Sequence, residues 1–109
     1  MKIELLIGDS KGNGRIAMAE AFRHIQRGSI SIIGPHSSGP TKEVSRWLSI
    51  ESINRAVIGF SATSSELSEP AYSNFARTVP TDDAAAKAMA KFMTGVFVSY
   101  LSLVGDTVK

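Results

Sequence analysis

Two hydrophobic patterns alternate along this chain. Short apolar runs rich in β-branched residues lie between Gly, Pro and Ser, which is typical of buried strands. Between them, apolar residues recur every three or four positions, which is typical of amphipathic helices. Strands are predicted at residues 3–7, 29–33, 56–60 and 100–104, with a short extended segment at 75–79. Helices are predicted at residues 15–27, from about residue 41 to residue 53, and from residue 81 toward residue 96, with one helical turn at 65–68.

Local signals set several helix ends. Gly28 is a natural stop for the first helix. The second helix should start near Thr41 or Lys42, because Pro40 suits a first turn and Thr41 can cap. Thr81 is followed by two aspartates, and a capping hydroxyl with carboxylates against the positive end of the helix dipole is a strong helix start.

The order of these elements determines the expected fold class. A β-α-β-α-β-loop-α-β order predicts an α/β fold, a partial doubly wound parallel sheet flanked by helices, with right-handed crossovers. The chain stops just after its last predicted strand, where such folds continue into another helix, so we expect a piece of a larger sheet. No internal repeat or linker divides the chain, and residues 1–109 are treated as one partial domain.

Two predicted strands end in loops of small hydroxylated residues. In open α/β sheets, ligands bind just beyond the carboxyl ends of the strands. Backbone N–H groups and a helix N-terminus at this place favour an anion such as a carboxylate. A single hydroxyl is commonly only a cap or turn residue, but joint placement at two strand ends favours binding. The candidates are Ser37, Ser38, Ser61 and Thr63.

Composition restricts the function classes. With 109 residues, of which 43% are hydrophobic and 20% charged, we expect one small soluble domain. The net charge of +2 comes from charges mixed along the chain, which indicates no nucleic-acid partner. The absence of cysteine excludes disulfides, zinc-thiolate sites and thiol nucleophiles. No signal peptide is visible, and the apolar stretch at 92–104 is too short and too interrupted to span a bilayer.

Two glycine-rich motifs fail as nucleotide sites. Residues 12–17 match G-x-G-x-x-A, but four residues separate them from the first strand and no acid ends the second. Residues 34–41 follow the phosphate-loop pattern G-x-x-x-x-G-K-S/T, except that Pro40 replaces the lysine that reaches the terminal phosphates. We therefore predict no cofactor.

Residues 59–63, Gly-Phe-Ser-Ala-Thr, approach the nucleophile elbow G-x-S-x-G. Threonine stands at the final position, where close packing usually needs glycine. A triad of Ser61 with His36 and Asp9 is conceivable at neighbouring strand ends. An α/β hydrolase or a nucleotide-binding enzyme is thus the less favoured alternative, and the chain is interpreted as a binding module and not an enzyme.

Several segments, in this order, also resemble a known family. The chain resembles the extracellular ligand-binding region of class C G-protein-coupled receptors, metabotropic glutamate receptors most closely. It is similar more broadly to type I periplasmic amino-acid-binding proteins and receptor guanylate cyclases. The resemblance covers nearly the whole chain from Ile3. The segments are residues 32–38 (IIGPHSS), 60–68 (FSATSSELS), 75–82 (FARTVPTD), 86–89 (AKAM) and 100–104 (YLSLV).

The resemblance implies a two-lobed clamshell that closes on an amino-acid-like small molecule, with this chain forming part of the first lobe. It implies ligand contacts at Ser37, Ser38, Ser61, Ala62 and Thr63. Ser38 and Thr63 would donate to the ligand's α-carboxylate. The Ser61 carbonyl and the Thr63 hydroxyl would accept from its ammonium. The implied location is the extracellular side of the plasma membrane, as part of a receptor whose membrane segments lie outside this chain.

The chain also departs from the resembled receptors. We expect these 109 residues to hold no part of the second lobe, and the cysteines that animal receptors usually carry in this lobe are absent from them. A soluble solute-binding protein of an amino-acid uptake system, with the same site, is the alternative function. Trp47, Leu48 and Ile50 are candidates for a homodimer face, as first-lobe helices are in those receptors. Packing onto the sheet is the other interpretation of these three residues.

Overall fold

A computed structural model describes the backbone of residues 1–105 and the side chains of residues 1–96. Within these residues the chain is an α/β protein with a small sheet and three long helices, which confirms the predicted class. In chain order the elements are α1 (Gly14–Gln26), β1 (Ser31–Ile33), α2 (Ser38–Ile50), β2 (Ala56–Gly59), two single-turn 3₁₀ helices (Ser65–Ser68 and Pro70–Tyr72), β3 (Phe75–Arg77) and α3 (Asp82–Gly105).

The sheet is parallel, with strand order β1-β2-β3. Ile32 lies opposite Val57 in the first ladder, and Ile58 lies opposite Ala76 in the second. Because all three strands run the same way, their carboxyl ends meet at one edge of the sheet. The loops that follow β1 and β2 therefore begin side by side.

Apolar burial organises the fold around β2. The main cluster joins the inner faces of α1 and α2 to the central strand. A second, smaller cluster lies under the loop that follows β2, and Phe75 packs against both. The buried members are Ala17, Ala21, Val44, Leu48 and Val57 in the first cluster, and Ala62, Leu67 and Tyr72 in the second.

Asn13 caps the start of α1, and Gly28 closes its end as predicted. The Asn13 side chain accepts from the N–H groups of Arg15 (2.9 Å) and Ile16 (3.2 Å), so it caps the helix. Gly28 has φ +93°, and its N–H donates to the Ile25 carbonyl at 2.9 Å. This left-handed residue ends the helix. The glycine-rich motif at residues 12–17 therefore serves as a helix start.

Helix α2 begins at Ser38, three residues before the earliest predicted position, and ends at Ile50. Pro40 consequently occupies the third helical position and not the first. Proline is tolerated there because an N–H at that position has no acceptor within the helix. The first turn is closed by Thr41, whose N–H and hydroxyl both donate to the Ser37 carbonyl (3.2 and 2.8 Å).

The strand predicted at residues 3–7 is wrong. This segment forms no ladder, and the side chains of Ile3, Leu5 and Ile7 are exposed. A cavity of about 940 Å³ lies between this segment and β1. Residues 3–7 are therefore separated from β1 and not paired with it. An apolar run becomes a strand only where a neighbouring edge offers it hydrogen-bond partners.

The strand predicted at residues 100–104 is also wrong, because α3 continues to Gly105. The start of this helix is as predicted: the Thr81 hydroxyl accepts from the Ala84 N–H at 3.1 Å. No proline interrupts the sequence after Thr81, and helical hydrogen bonds are local, so the helix extends without help from another element. The predicted stop at residues 105–106 lies partly outside the described residues.

Candidate functional site

The loops after β1 and β2 are in direct contact. The Ser64 N–H donates to the Ser38 Oγ at 3.1 Å, and the Ser61 Oγ lies 3.4 Å from the His36 Nε2. Residues 37–38 and 61–63 therefore lie on the same side of the molecule, as the parallel sheet predicts. We call residues 36–39 and 61–64 together the strand-end rim.

The first half of the rim is the start of α2. Ser37 is the residue before the helix, but its side chain makes no capping bond. The N–H groups of Ser38 and Gly39 consequently point out of the helix end without a cap, at the positive end of its dipole. Such an end stabilises an anion.

The second half of the rim is a segment whose carbonyl groups are already bonded. The Ala62 and Ser64 carbonyls accept from the two terminal nitrogens of Arg77, at 3.2 and 3.0 Å. The Thr63 carbonyl accepts from the Asp82 N–H at 2.9 Å, where α3 begins. Among residues 1–105, the N–H group and the hydroxyl of the half-buried Thr63 have no protein acceptor. This half of the rim thus also offers donors.

Ala62 has a different position from the other candidates. Its side chain is completely buried and packs with Leu67 and Tyr72. Because the exposed fraction of the whole residue, backbone included, is 0%, Ala62 presents no open surface at the rim. The buried methyl group anchors the segment between Ser61 and Thr63 to the fold.

Arg77 is the main residue that sequence reasoning missed. It lies at the end of β3, its guanidinium is stacked 5.3 Å from the Phe75 ring centre, and it donates a third bond to the Ser68 Oγ at 3.0 Å. The sequence did contain one signal for Arg77, because it is the single charged residue of the short extended segment at residues 75–79. A half-buried guanidinium needs hydrogen-bond acceptors from the rest of the protein. These acceptors are the carbonyls of the rim.

An ion pair joins α2 to the 3₁₀ helix at Ser65–Ser68, which follows the rim. Lys42 Nζ and Glu66 Oε2 are in direct contact. The hydrogen bond from Lys42 and then the Lys42 charge lower the pKa of Glu66 below its usual value, while desolvation opposes this and the charge of Arg46 adds a smaller lowering. Because the Lys42 charge is matched by a carboxylate, it does not leave the neighbouring rim strongly cationic.

The catalytic alternative is not assembled. Ser61 and His36 are near each other, but the Asp9 carboxylate accepts from the Lys11 N–H at 2.9 Å. Within residues 1–105 no hydrogen bond joins Asp9 to His36, so the carboxylate does not orient the imidazole as a triad requires.

A model of the protein family described as "Receptor family ligand binding region" matches residues 1–107. The chain belongs to this family. It is therefore a receptor-type ligand-binding region, of a family whose members bind small molecules outside the cell and which is not a family of enzymes. No curated protein matches the chain in a sequence search.

The predicted dimer face of this receptor ligand-binding region requires a correction. Leu48 is completely buried in the main core cluster, so it belongs to the packing of α2 on the sheet and not to an exposed face. Ile50 is 70% exposed. Trp47 is half-buried, with its ring edge-on to Phe22 of α1 at 6.0 Å. Of the three candidates, Trp47 and Ile50 retain surface that a partner could contact.

Whether a helix can cross a membrane depends on its length and on its apolar character. None of the helices described within residues 1–105 of this ligand-binding region combines the length and apolar character needed to cross a bilayer.

Proposed function

We propose that this receptor ligand-binding region binds the zwitterionic end of an amino-acid-like molecule at the strand-end rim. The observation that carries the proposal is the Ser64 N–H to Ser38 Oγ bond, which holds the two hydroxyl-bearing loops against each other. A ligand bridging them would contact both loops at once.

The α-carboxylate of the ligand would lie at the start of α2. The Ser38 oxygen accepts from Ser64, and its own proton remains available to donate. The Thr63 hydroxyl and the uncapped N–H groups of Ser38 and Gly39 would add donors. Each hydrogen bond to a charged group is worth about 1.5–3 kcal/mol.

The α-ammonium of the ligand would lie beside Ser61 and Thr63. The Ser61 carbonyl and the Thr63 oxygen are acceptors suited to an N–H donor. No residue of the rim other than His36 has a titratable side chain. A rim of neutral hydrogen-bonding groups fits a zwitterion because neither of its charges then needs a buried countercharge.

In the parent protein this region would be part of the first lobe of a clamshell, most like that of a class C receptor, and would close on the ligand. Trp47 and Ile50 would contribute to a homodimer face of that lobe. The rim and its ligand class are shared with the transport alternative, so the experiment below tests the binding chemistry.

Glycine is the test ligand because it carries only the two groups that the rim would contact. Titration of the ¹⁵N-labelled chain should shift the amide resonances of the rim. In the double variant Ser38→Ala/Thr63→Ala we expect affinity to fall more than tenfold, since two charged-group hydrogen bonds are lost. Acetate alone and methylammonium alone should bind more weakly than glycine.

The matched control is Ser49→Ala/Thr94→Ala, which makes the same chemical changes at exposed helix positions away from the rim. It should bind glycine as the parent chain does. Undiminished binding by the Ser38/Thr63 variant, or shifts outside the rim only, would contradict the proposal.

A further inference from the structure

The guanidinium of Arg77 bonds the rim from the side opposite to the proposed ligand. Its two terminal nitrogens reach the carbonyls of Ala62 and Ser64, and one of them also reaches the Ser68 Oγ. Stacking against the Phe75 ring supports its plane. One side chain of β3 thus holds both ends of the segment 62–64.

The direction of the carbonyls determines the direction of the N–H groups. In a trans peptide the C=O and the following N–H point in opposite directions. The Ala62 carbonyl points to Arg77, so the Thr63 N–H points away from Arg77. The Thr63 carbonyl points to the Asp82 N–H, and the Ser64 N–H then reaches Ser38.

The charge of Arg77 adds to this geometry. A cation bonded to a carbonyl oxygen polarises the whole peptide group, which makes its N–H a stronger donor in a medium of low dielectric. The peptide between Ala62 and Thr63 is polarised in this way, and its N–H has no acceptor among the described residues.

We propose that Arg77 is a positioning residue of the ligand site, which orients and polarises the Thr63 peptide for the ligand without touching the ligand. This inference rests on the proposed function. A lysine would not replace Arg77, because an ammonium is a point charge without the planar fork that reaches two carbonyls.

Arg55 is a matched control. It also donates to two backbone carbonyls, through Nε to Ser29 (2.9 Å) and through Nη1 to Asn54 (2.9 Å). It lies just before β2, at the sheet edge opposite to the rim. Loss of Arg55 should therefore lower stability without altering the rim.

The experiment compares Arg77→Lys, Arg77→Gln and Arg55→Lys in the 109-residue chain, with glycine as the probe. Two quantities are measured: the ¹⁵N amide shifts of Thr63 and Ser64 without ligand, and the glycine affinity by NMR titration. We expect both Arg77 variants to shift these two amides and to weaken glycine binding at least tenfold. Arg55→Lys should change neither, although it lowers the unfolding midpoint.

The outcomes separate the two proposals. If the parent chain binds glycine and Arg77→Lys binds it equally well, the role of Arg77 is refuted and the proposed function stands. If the Thr63 and Ser64 amides keep their shifts in both Arg77 variants, the positioning role is refuted whatever the affinity. If the parent chain does not bind glycine, the proposed function fails and the ligand-site role of Arg77 fails with it.

Discussion

Ser38 and Ser64 are 26 positions apart in the chain, and a single 3.1 Å hydrogen bond joins the N–H of one to the hydroxyl oxygen of the other. Ser38 is the first residue of α2, and Ser64 follows the end of β2. The bond therefore fixes the distance between the two loops that form the strand-end rim. It leaves the Ser38 proton free for a ligand.

Replacing Ser45 by alanine should destabilise the fold, although the change is small in volume. Ser45 is completely buried, its hydroxyl donates to the Asn74 Oδ1 at 2.5 Å, and the Asn74 amide donates back to the Ser45 carbonyl at 3.3 Å. Removing the hydroxyl leaves a part-buried amide oxygen without this donor, at a cost of about 1–3 kcal/mol. Urea unfolding measures the change in the free energy of unfolding. The exposed Ser49→Ala is its control, and an equal effect of the two changes would contradict the burial argument.

Leu48 and Ile50 should respond in opposite ways to substitution. Leu48 is completely buried, so Leu48→Ala should lower the free energy of unfolding by about 2–5 kcal/mol. Ile50 is 70% exposed, so Ile50→Glu should leave stability within about 0.5 kcal/mol.

If Ile50 belongs to a dimer face, sedimentation of the Ile50→Glu variant should show monomers at a concentration where the parent chain is dimeric. A dimer of unchanged strength would remove Ile50 from the face.

Acidification should weaken the contact between α2 and the 3₁₀ turn at Ser65–Ser68. The pKa of Glu66 is lowered below its ordinary value in the folded chain, chiefly by its hydrogen bond with Lys42. A lowered pKa means that the folded state favours the carboxylate, so this stabilisation is complete above the unfolded-state pKa. It is lost as pH falls through the lowered folded-state pKa. The parent chain should exceed Glu66→Gln in unfolding free energy near neutral pH, and the difference should vanish in acid. A difference that does not depend on pH would show that the ion pair is not its source.

The predictable part of the site came from signals local in the sequence. The apolar runs that end at Ile33 and Gly59 are each followed directly by turn residues, so both strand ends could be predicted. Parallel strands place their carboxyl ends together, and the contact between Ser38 and the Ser61–Ser64 loop follows from this. Arg77 was missed because nothing in its own segment indicates that its acceptors belong to residues 62–68. Its role depends on the tertiary fold.

The errors at the two ends of the chain have the same cause. An apolar run such as residues 3–7 or 100–104 has no intrinsic preference strong enough to fix its structure. A strand needs a partner edge, and the pattern of one segment does not show whether an edge is available. Pro40 illustrates a smaller ambiguity, because proline fits either the first or the third position of a helix. The start of α2 was therefore predicted three residues too late.

Replacing threonine by valine at two positions should separate ligand binding from stability. The Thr41 hydroxyl is completely buried and donates to the Pro35 and Ser37 carbonyls, at 3.1 and 2.8 Å. Thr41→Val should therefore lower the free energy of unfolding by about 1–3 kcal/mol.

The Thr63 hydroxyl is half-buried and has no partner among the described residues, so Thr63→Val should leave stability nearly unchanged. It should weaken glycine binding about tenfold, because one hydrogen bond to a charged group is lost. Unfolding in urea and NMR titration with glycine measure the two effects. A Thr63→Val chain that binds glycine normally would exclude this hydroxyl from the site, whatever its effect on stability.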